Sequence, residues 1–150
     1  MPSTKAYRAA LLHCLADPRD VGIEQSHEYV EDGLLIVEDG KVARIGHAAE
    51  LLPTLAAGTE IVEYPDALIT PGFVDTHIHY PQVGVIGSYG AQLLDWLETY
   101  TFPNECRFTD VAHAREQAEL FLGELLRNGT TTALVFGTVR KQSVDAFFEA

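Results

Sequence analysis

The chain has 150 residues, of which 47% are hydrophobic and 21% are charged, and its net charge at pH 7 is -12. These proportions are typical of a globular protein and exclude a disordered one. Because an acidic surface repels phosphate groups, the charge argues against nucleic acid and against an anionic membrane as partners.

The sequence carries no signal for secretion or for insertion into a membrane. Residues 1–20 lack a basic start followed by a long apolar stretch and a cleavage site. No apolar run approaches the roughly 18 residues that a membrane-spanning helix needs. Cys14 and Cys106 are far apart in the chain, which fits a reducing compartment better than a disulfide framework. These features predict a cytoplasmic protein.

The first third of the chain is predicted to form short strands. Residues 7–16 (YRAALLHCLA) are apolar and suited to a sheet. Within residues 33–46 two β-prone runs flank Asp39-Gly40, a pair that supplies the positive φ angles of a tight hairpin. Residues 48–55 are predicted as a short helix or a loop, and residues 60–72 as extended chain. We interpret this region as a small β module without catalytic chemistry.

The pattern then changes to alternating helices and strands. Residues 109–129 place apolar side chains at helical spacing, and Thr109 or Asp110 is a candidate cap at the start of the helix. Residues 130–136 (TTTALVF) form a β-branched strand, and residues 141–150 begin another helix. This order predicts a βαβ unit and a parallel sheet.

We therefore predict two regions, residues 1–68 and residues 69–150. A single βαβ unit leaves the strands of a parallel sheet with too few neighbours. In addition, the chain ends at Ala150 inside a helical pattern, without a residue that would stop the helix. We expect these residues to be the N-terminal part of a longer protein, and a fragment expressed alone to aggregate or stay molten.

Two histidines one residue apart are the strongest chemical signal. Residues 67–79 form a strand pattern interrupted at Pro71-Gly72, and His77 and His79 lie at its C-terminal end. Side chains at positions i and i+2 of a strand share a face, so both rings can bind one metal ion. Asp75 is expected on the same face, and burying three polar side chains without function is costly. By itself, however, a His-x-His pair is a weak signal.

Several separated motifs together resemble the amidohydrolase superfamily, and within it the guanine deaminases. Residues 69–82 (ITPGFVDTHIHYPQ) look like the first-strand signature of the superfamily, which is Pro-Gly, two hydrophobic residues and Asp-x-His-x-His. The more specific similarity to guanine deaminases lies in HYPQ at residues 79–82, QLLDWLETYTFPNE at 92–105 and LLRNGTTTALVFGT at 125–138. The resemblance covers roughly residues 33–138.

The resemblance implies an α/β fold, a metal-dependent (β/α)8 TIM barrel of the amidohydrolase type. A small β-sandwich built from both chain ends accompanies the barrel, and residues 1–68 would form part of it. One divalent metal ion, usually Zn2+, is implied, with His77 and His79 as its first two ligands. The remaining histidine and aspartate ligands and a proton-shuttling glutamate are expected beyond residue 150, and no catalytic residue is expected within residues 1–150.

The resemblance also implies a substrate site at the loop that follows the second histidine. Its predicted residues are His79, Tyr80, Pro81 and Gln82. The carboxamide of Gln82 is predicted to hydrogen-bond the purine, because an amide offers both a donor and an acceptor. Tyr80 and Pro81 are expected mainly to shape the loop. Trp96 could face the base, although its spacing is more typical of a core residue.

The implied reaction is the hydrolytic deamination of guanine to xanthine and ammonia. Two alternatives stay open. One is a related amidohydrolase acting on a triazine, cytosine or an adenosine-like nucleoside, against which the HYPQ loop argues. The other is a non-catalytic amidohydrolase-fold scaffold, against which the retained His77 and His79 argue. The His-x-Glu and Pro-Cys-x-x-Cys signature of the other zinc deaminases is absent. The metal and the oligomeric state, a homodimer included, are left open.

Overall fold

The computed structural model describes residues 4–150, which form two units of different architecture. The first unit ends at Pro71 and is built on a four-stranded sheet. The second spans Gly72–Ala150 and combines a two-stranded parallel sheet with helices. Each unit has its own hydrophobic core. The boundaries predicted for the two regions, residues 1–68 and 69–150, stay predictions.

The first unit is a mixed sheet with the strand order β3-β2-β1-β4. Its strands are β1 (Thr4–Cys14), β2 (His27–Glu38), β3 (Lys41–His47) and β4 (Glu60–Ile69), and two short helices, α1 (Pro18–Val21) and α2 (Ala48–Leu51), lie in the connections. The strand β1 is antiparallel to β2 and parallel to β4, whereas β3 pairs antiparallel with β2. The predicted small β module is therefore present.

A tight turn between β2 and β3 matches the sequence prediction. Asp39 has a φ of 50° and Gly40 a φ of 76°, and both angles are positive. Two successive positive φ angles characterise the type I′ turn, whose twist suits a two-residue hairpin. The turn brings Glu38 opposite Lys41. Beyond the hairpin, α2 covers the sheet, and its Ala48 is buried with Leu34 and Ile36.

The second unit contains the βαβ unit that the sequence predicts. Its elements are β5 (Phe73–His79), a 3-10 turn (Tyr80–Val85), α3 (Leu93–Trp96), a π-helical segment (Leu97–Thr101), α4 (Phe102–Cys106), α5 (Val111–Arg127), β6 (Thr130–Phe136) and α6 (Lys141–Glu149). The strands β5 and β6 are parallel neighbours, and α5 lies in the connection between them. No helix within residues 4–150 is long and apolar enough to cross a membrane.

The long helix α5 is capped at its N-terminus by Asp110, one of the two residues predicted for this role. The carboxylate of Asp110 accepts hydrogen bonds from the backbone N–H groups of Ala112 and His113 at 2.9 and 3.4 Å. Such bonds satisfy donors that have no partner within the helix. One face of α5 joins the core of this unit, which consists of Tyr80, Phe108, Ala114, Ala118, Phe121 and Ala146. The core thus fixes the turn after β5 against two helices.

Gly72 allows β5 and β6 to approach closely at their start. A Cβ atom at this position would lie 1.9 Å from Oγ1 and 2.6 Å from Cβ of Thr131. Because the Cβ of Thr131 is fixed to the backbone, rotation of that side chain would not remove the clash. Next to Gly72, the Phe73 N–H donates to the Gly129 carbonyl at 2.8 Å. The Gly of the Pro-Gly motif is therefore required by strand packing.

We predict that Gly72→Ala destabilises the complete protein, because the added methyl group must push β5 away from β6. Overpacking of this kind costs roughly 1–3 kcal/mol. The measurement is the thermal unfolding midpoint of the purified protein. Gly123→Ala is the matched control, since a Cβ at exposed Gly123 in α5 meets no atom within 4 Å. The control is expected to gain about 0.5–1 kcal/mol. An unchanged midpoint for Gly72→Ala would contradict the packing argument.

Candidate functional site

His77 and His79 lie at the C-terminal end of β5 with their rings close together. Their Nε2 atoms are 3.2 Å apart and their ring centroids 5.3 Å apart. Two nitrogens bound to one tetrahedral zinc ion, each at about 2.0–2.1 Å, lie about 3.3 Å from each other. The donor atoms and their separation therefore fit two ligands of one zinc ion.

Phe136, the last residue of β6, packs against both imidazole rings. Its ring centroid lies 4.7 Å from that of His77 and 4.8 Å from that of His79, and the second pair is stacked with an interplanar angle of 13°. Phe136 also pairs with His79 in the register of the two strands. Phe136 supplies no ligand atom, but its ring limits the orientations that the two histidines adopt.

An irregularity in β5 precedes the histidine pair. Asp75 pairs with Ala133 but Ile78 pairs with Val135, so β5 contains one extra residue between these positions. The Asp75 carboxylate accepts a hydrogen bond from the His77 backbone N–H at 3.0 Å. Bulges of this kind re-aim side chains and are common beside active sites. The role of Asp75 visible here is to stabilise the backbone that carries His77.

The described part of the chain does not supply a complete metal site. Within residues 4–150, no group of three or more His, Cys, Asp or Glu side chains is placed to hold a metal ion. Asp75, which the sequence places on the same face as the histidines, therefore does not form such a group with them. His77 and His79 would supply two of the ligands of a metal ion.

The turn after β5 brings Gln82 next to the histidine pair. Its side-chain nitrogen lies 3.5 Å from Nδ1 of His79, at the upper limit for a hydrogen bond. Rotation of the carboxamide by 180° would place its oxygen there instead, where it would accept Nδ1–H and leave Nε2 free for a metal. Gln82 is half-buried. The contact is weak enough for its amide to serve another partner.

Tyr80 and Pro81, the first two residues of this turn, are buried. The hydroxyl of Tyr80 donates to the carbonyl of Ser143 in α6 at 2.5 Å. Burial raises the pKa of the Tyr80 hydroxyl, so this group stays a neutral donor at neutral pH. The carbonyl of Pro81 accepts a hydrogen bond from Asn104 Nδ2 at 2.6 Å. Both side chains shape the turn, and their predicted part in substrate binding stays a prediction.

A cavity of about 520 Å³ opens beside His79 and Gln82. The π-helical segment, α4 and the loop after β6 form its other walls, to which Thr101 and Glu105 contribute polar groups. Small-molecule sites combine apolar walls with a few polar groups in this way. Thr101 is buried, and its hydroxyl has no hydrogen-bond partner within the described residues. No sequence pattern pointed to Thr101, although π-helical segments are frequent at functional sites.

Trp96 takes a structural position outside the walls of this cavity. Its indole N–H donates to the Ser88 carbonyl at 2.9 Å, which uses the only polar group of the side chain. The short helix α3 ends at Trp96. Its Leu93 and Leu94, however, are 69% and 71% exposed, so they are not packed within the described part of the chain. This position does not support contact between Trp96 and a base.

Comparisons with known proteins identify the family of this chain. The profile of the amidohydrolase family matches residues 68–150, more than half of the chain. This chain belongs to the amidohydrolase family. A guanine deaminase from Escherichia coli (strain K12) is 52% identical to this amidohydrolase chain over 128 residues, which cover 85% of the chain and 29% of that protein. The amidohydrolase-type α/β fold predicted from the sequence is confirmed.

Two solved structures extend this likeness to three dimensions. The structure of E. coli guanine deaminase has a TM-score of 0.88 and 46% identity, and covers 97% of this chain and 34% of its own. Guanine deaminase from C. acetobutylicum, with bound guanine in the active site, has a TM-score of 0.76 and 27% identity, with coverages of 97% and 33%. The amidohydrolase chain thus spans about a third of the length of these relatives. The family implies a divalent metal ion.

We predict that His77→Ala and His79→Ala each remove most bound zinc from the complete protein, because each deletes one of two adjacent nitrogen ligands. Zinc content is measured by elemental analysis after dialysis against metal-free buffer. His27→Ala is the control, since exposed His27 lies in the first unit and its ring Nδ1–H donates to the Ile23 carbonyl at 2.9 Å. Full zinc content in either variant of the pair would show that the ligand assignment is wrong.

Proposed function

We propose that the complete protein containing this chain is a zinc-dependent guanine deaminase that hydrolyses guanine to xanthine and ammonia in the cytoplasm. The observation that carries the proposal is that His79, one member of a zinc-compatible histidine pair, lines one cavity together with Gln82. The guanine deaminases to which the chain is similar support the same substrate. The protein would thus act in purine catabolism.

His77 and His79 would hold the zinc ion from one side. Zinc, when bound, lowers the pKa of water to about 7 and so supplies a nucleophile at neutral pH. Phe136 keeps the two rings in place through its ring contacts, and the hydrogen bond that the His77 N–H donates to the Asp75 carboxylate keeps the backbone of His77 in place. Such support matters because ligand orientation affects metal affinity and activity.

Gln82 would recognise the purine from the turn beside the metal. The edge of guanine carries adjacent donors and acceptors, and a carboxamide complements both. Because Gln82 lines the cavity and bonds only weakly to His79, its amide is available to the base. The cavity volume of about 520 Å³ lies in the range of small-molecule sites.

The direct test is an assay of the purified complete protein with guanine, in which xanthine and ammonia are both measured. Adenine, cytosine and an amino-triazine are offered in parallel to examine the alternative heterocycles. We expect guanine to be the preferred substrate. Chelation should abolish the reaction, and added Zn2+ should restore it. A zinc-loaded protein that forms no xanthine would contradict the proposal, and a protein without stoichiometric zinc would favour the scaffold alternative.

We predict that Gln82→Ala lowers kcat/KM for guanine and leaves the zinc content unchanged. Loss of a hydrogen bond at a buried polar edge costs roughly 1–3 kcal/mol, or about tenfold to a hundredfold. Steady-state kinetics and elemental analysis together test both statements. Gln142→Ala, at an exposed position of α6, is the matched control and should behave like the parent. Loss of zinc, or turnover at the parent rate, would show that Gln82 has another role.

A further inference from the structure

The turn that presents Gln82 is bonded to helix α4. Asn104 in α4 donates from Nδ2 to the Pro81 carbonyl at 2.6 Å, in a half-buried position. The same side chain extends across the turn, since its Oδ1 and Nδ2 lie 3.6 and 3.9 Å from the position of a Cβ at Gly84. Asn104 therefore contacts the turn on either side of Gln82.

The Pro81 carbonyl, which accepts this hydrogen bond, influences the orientation of the Gln82 side chain. It belongs to the peptide unit between Pro81 and Gln82, and this unit is planar. Holding the oxygen in place therefore also fixes the backbone N and Cα of Gln82. On the N-terminal side of Pro81, Tyr80 is held in place by the hydrogen bond that its hydroxyl donates to the Ser143 carbonyl. Gln82 is then the first side chain of the turn that lines the cavity.

Helix α4 contributes to the cavity as well as to this bond. Phe102 and Glu105, three positions apart in α4, line the cavity beside Gln82. Residues at this spacing lie on one face of a helix. Asn104 lies between them in sequence and reaches the turn instead. A shift of α4 would therefore move a cavity wall and the backbone of Gln82 together.

We propose that Asn104 is a positioning residue for substrate recognition, acting through the Pro81 carbonyl on the orientation of Gln82. The inference rests on the proposed function, in which Gln82 recognises guanine. Asn104 does not line the cavity and would act on the substrate only through the turn. Its removal lowers kcat/KM for guanine by loosening Gln82, and it has no further effect once the Gln82 amide is gone.

The test is a double-mutant cycle in the complete enzyme with Asn104→Asp and Gln82→Ala. Aspartate has nearly the shape of asparagine, but its carboxylate places an acceptor where Asn104 has a donor, facing the Pro81 carbonyl. We expect Asn104→Asp to lower kcat/KM for guanine about five- to tenfold, the effect of one net hydrogen bond. In the Gln82→Ala background the same change should have no effect. Zinc content should equal that of the parent.

Asn128→Asp is the matched control. Asn128 Nδ2 donates to the Glu124 carbonyl at 2.8 Å at the end of α5, so this variant loses the same type of bond away from the turn. It should keep the kinetics of the parent. Should Asn104→Asp fail to fold, Asn104→Ala is measured in the same cycle, because it removes the donor without adding a charge.

The outcomes separate this inference from the proposed function. The positioning role alone would be overturned if the parent is active but the Asn104 variant has unchanged kinetics or loses zinc. The same holds if the variant shows an equal loss of kcat/KM in the Gln82→Ala background. A zinc-loaded parent without activity on guanine would overturn the proposed function and this inference with it. Loss of kcat/KM that depends on the Gln82 amide, at full zinc content, would support the inference.

Discussion

The parallel pairing of β5 with β6 is the constraint on which the candidate site depends. Because the two strands run in the same direction, both deliver their C-terminal residues to one edge, where Phe136 stacks against the ring of His79. The turn after β5 and the loop after β6 then begin side by side and enclose one cavity. An antiparallel pair would place those loops at opposite ends and would leave His79 and Gln82 without the cavity wall that follows β6.

The elements and the spacing of the histidine pair follow from local sequence. The elements were predicted correctly for that reason, and metal binding by the pair stays a prediction. A hairpin at Asp39-Gly40 depends on φ angles that few residues adopt, and α5 depends on its own periodicity and on its cap. The same applies to the spacing of His77 and His79. A prediction from regular alternation, however, assumes that β5 pairs with β6 without interruption. The extra residue in β5 lies between Asp75 and Ile78, so alternation alone does not show which face Asp75 occupies.

The contacts of the supporting residues could not be predicted, because they join residues that are far apart in the chain. Asn104 bonds to a residue 23 positions away, and Tyr80 to one 63 positions away. No periodicity or local motif encodes such a contact, since it exists only after helices have packed on the strands. Phe136 had the best available signal, because it ends one strand of a parallel pair whose other strand ends at a histidine.

The two irregularities in this strand pair offset each other. Near the start of the pair, Thr131 of β6 has no partner in β5, and before Ile78 one residue of β5 has no partner in β6. Both strands nevertheless have seven residues, and their last residues lie opposite each other. An insertion or a deletion in one strand alone would slide His79 past Phe136. Changes in the length of the two strands should therefore be tolerated only in pairs.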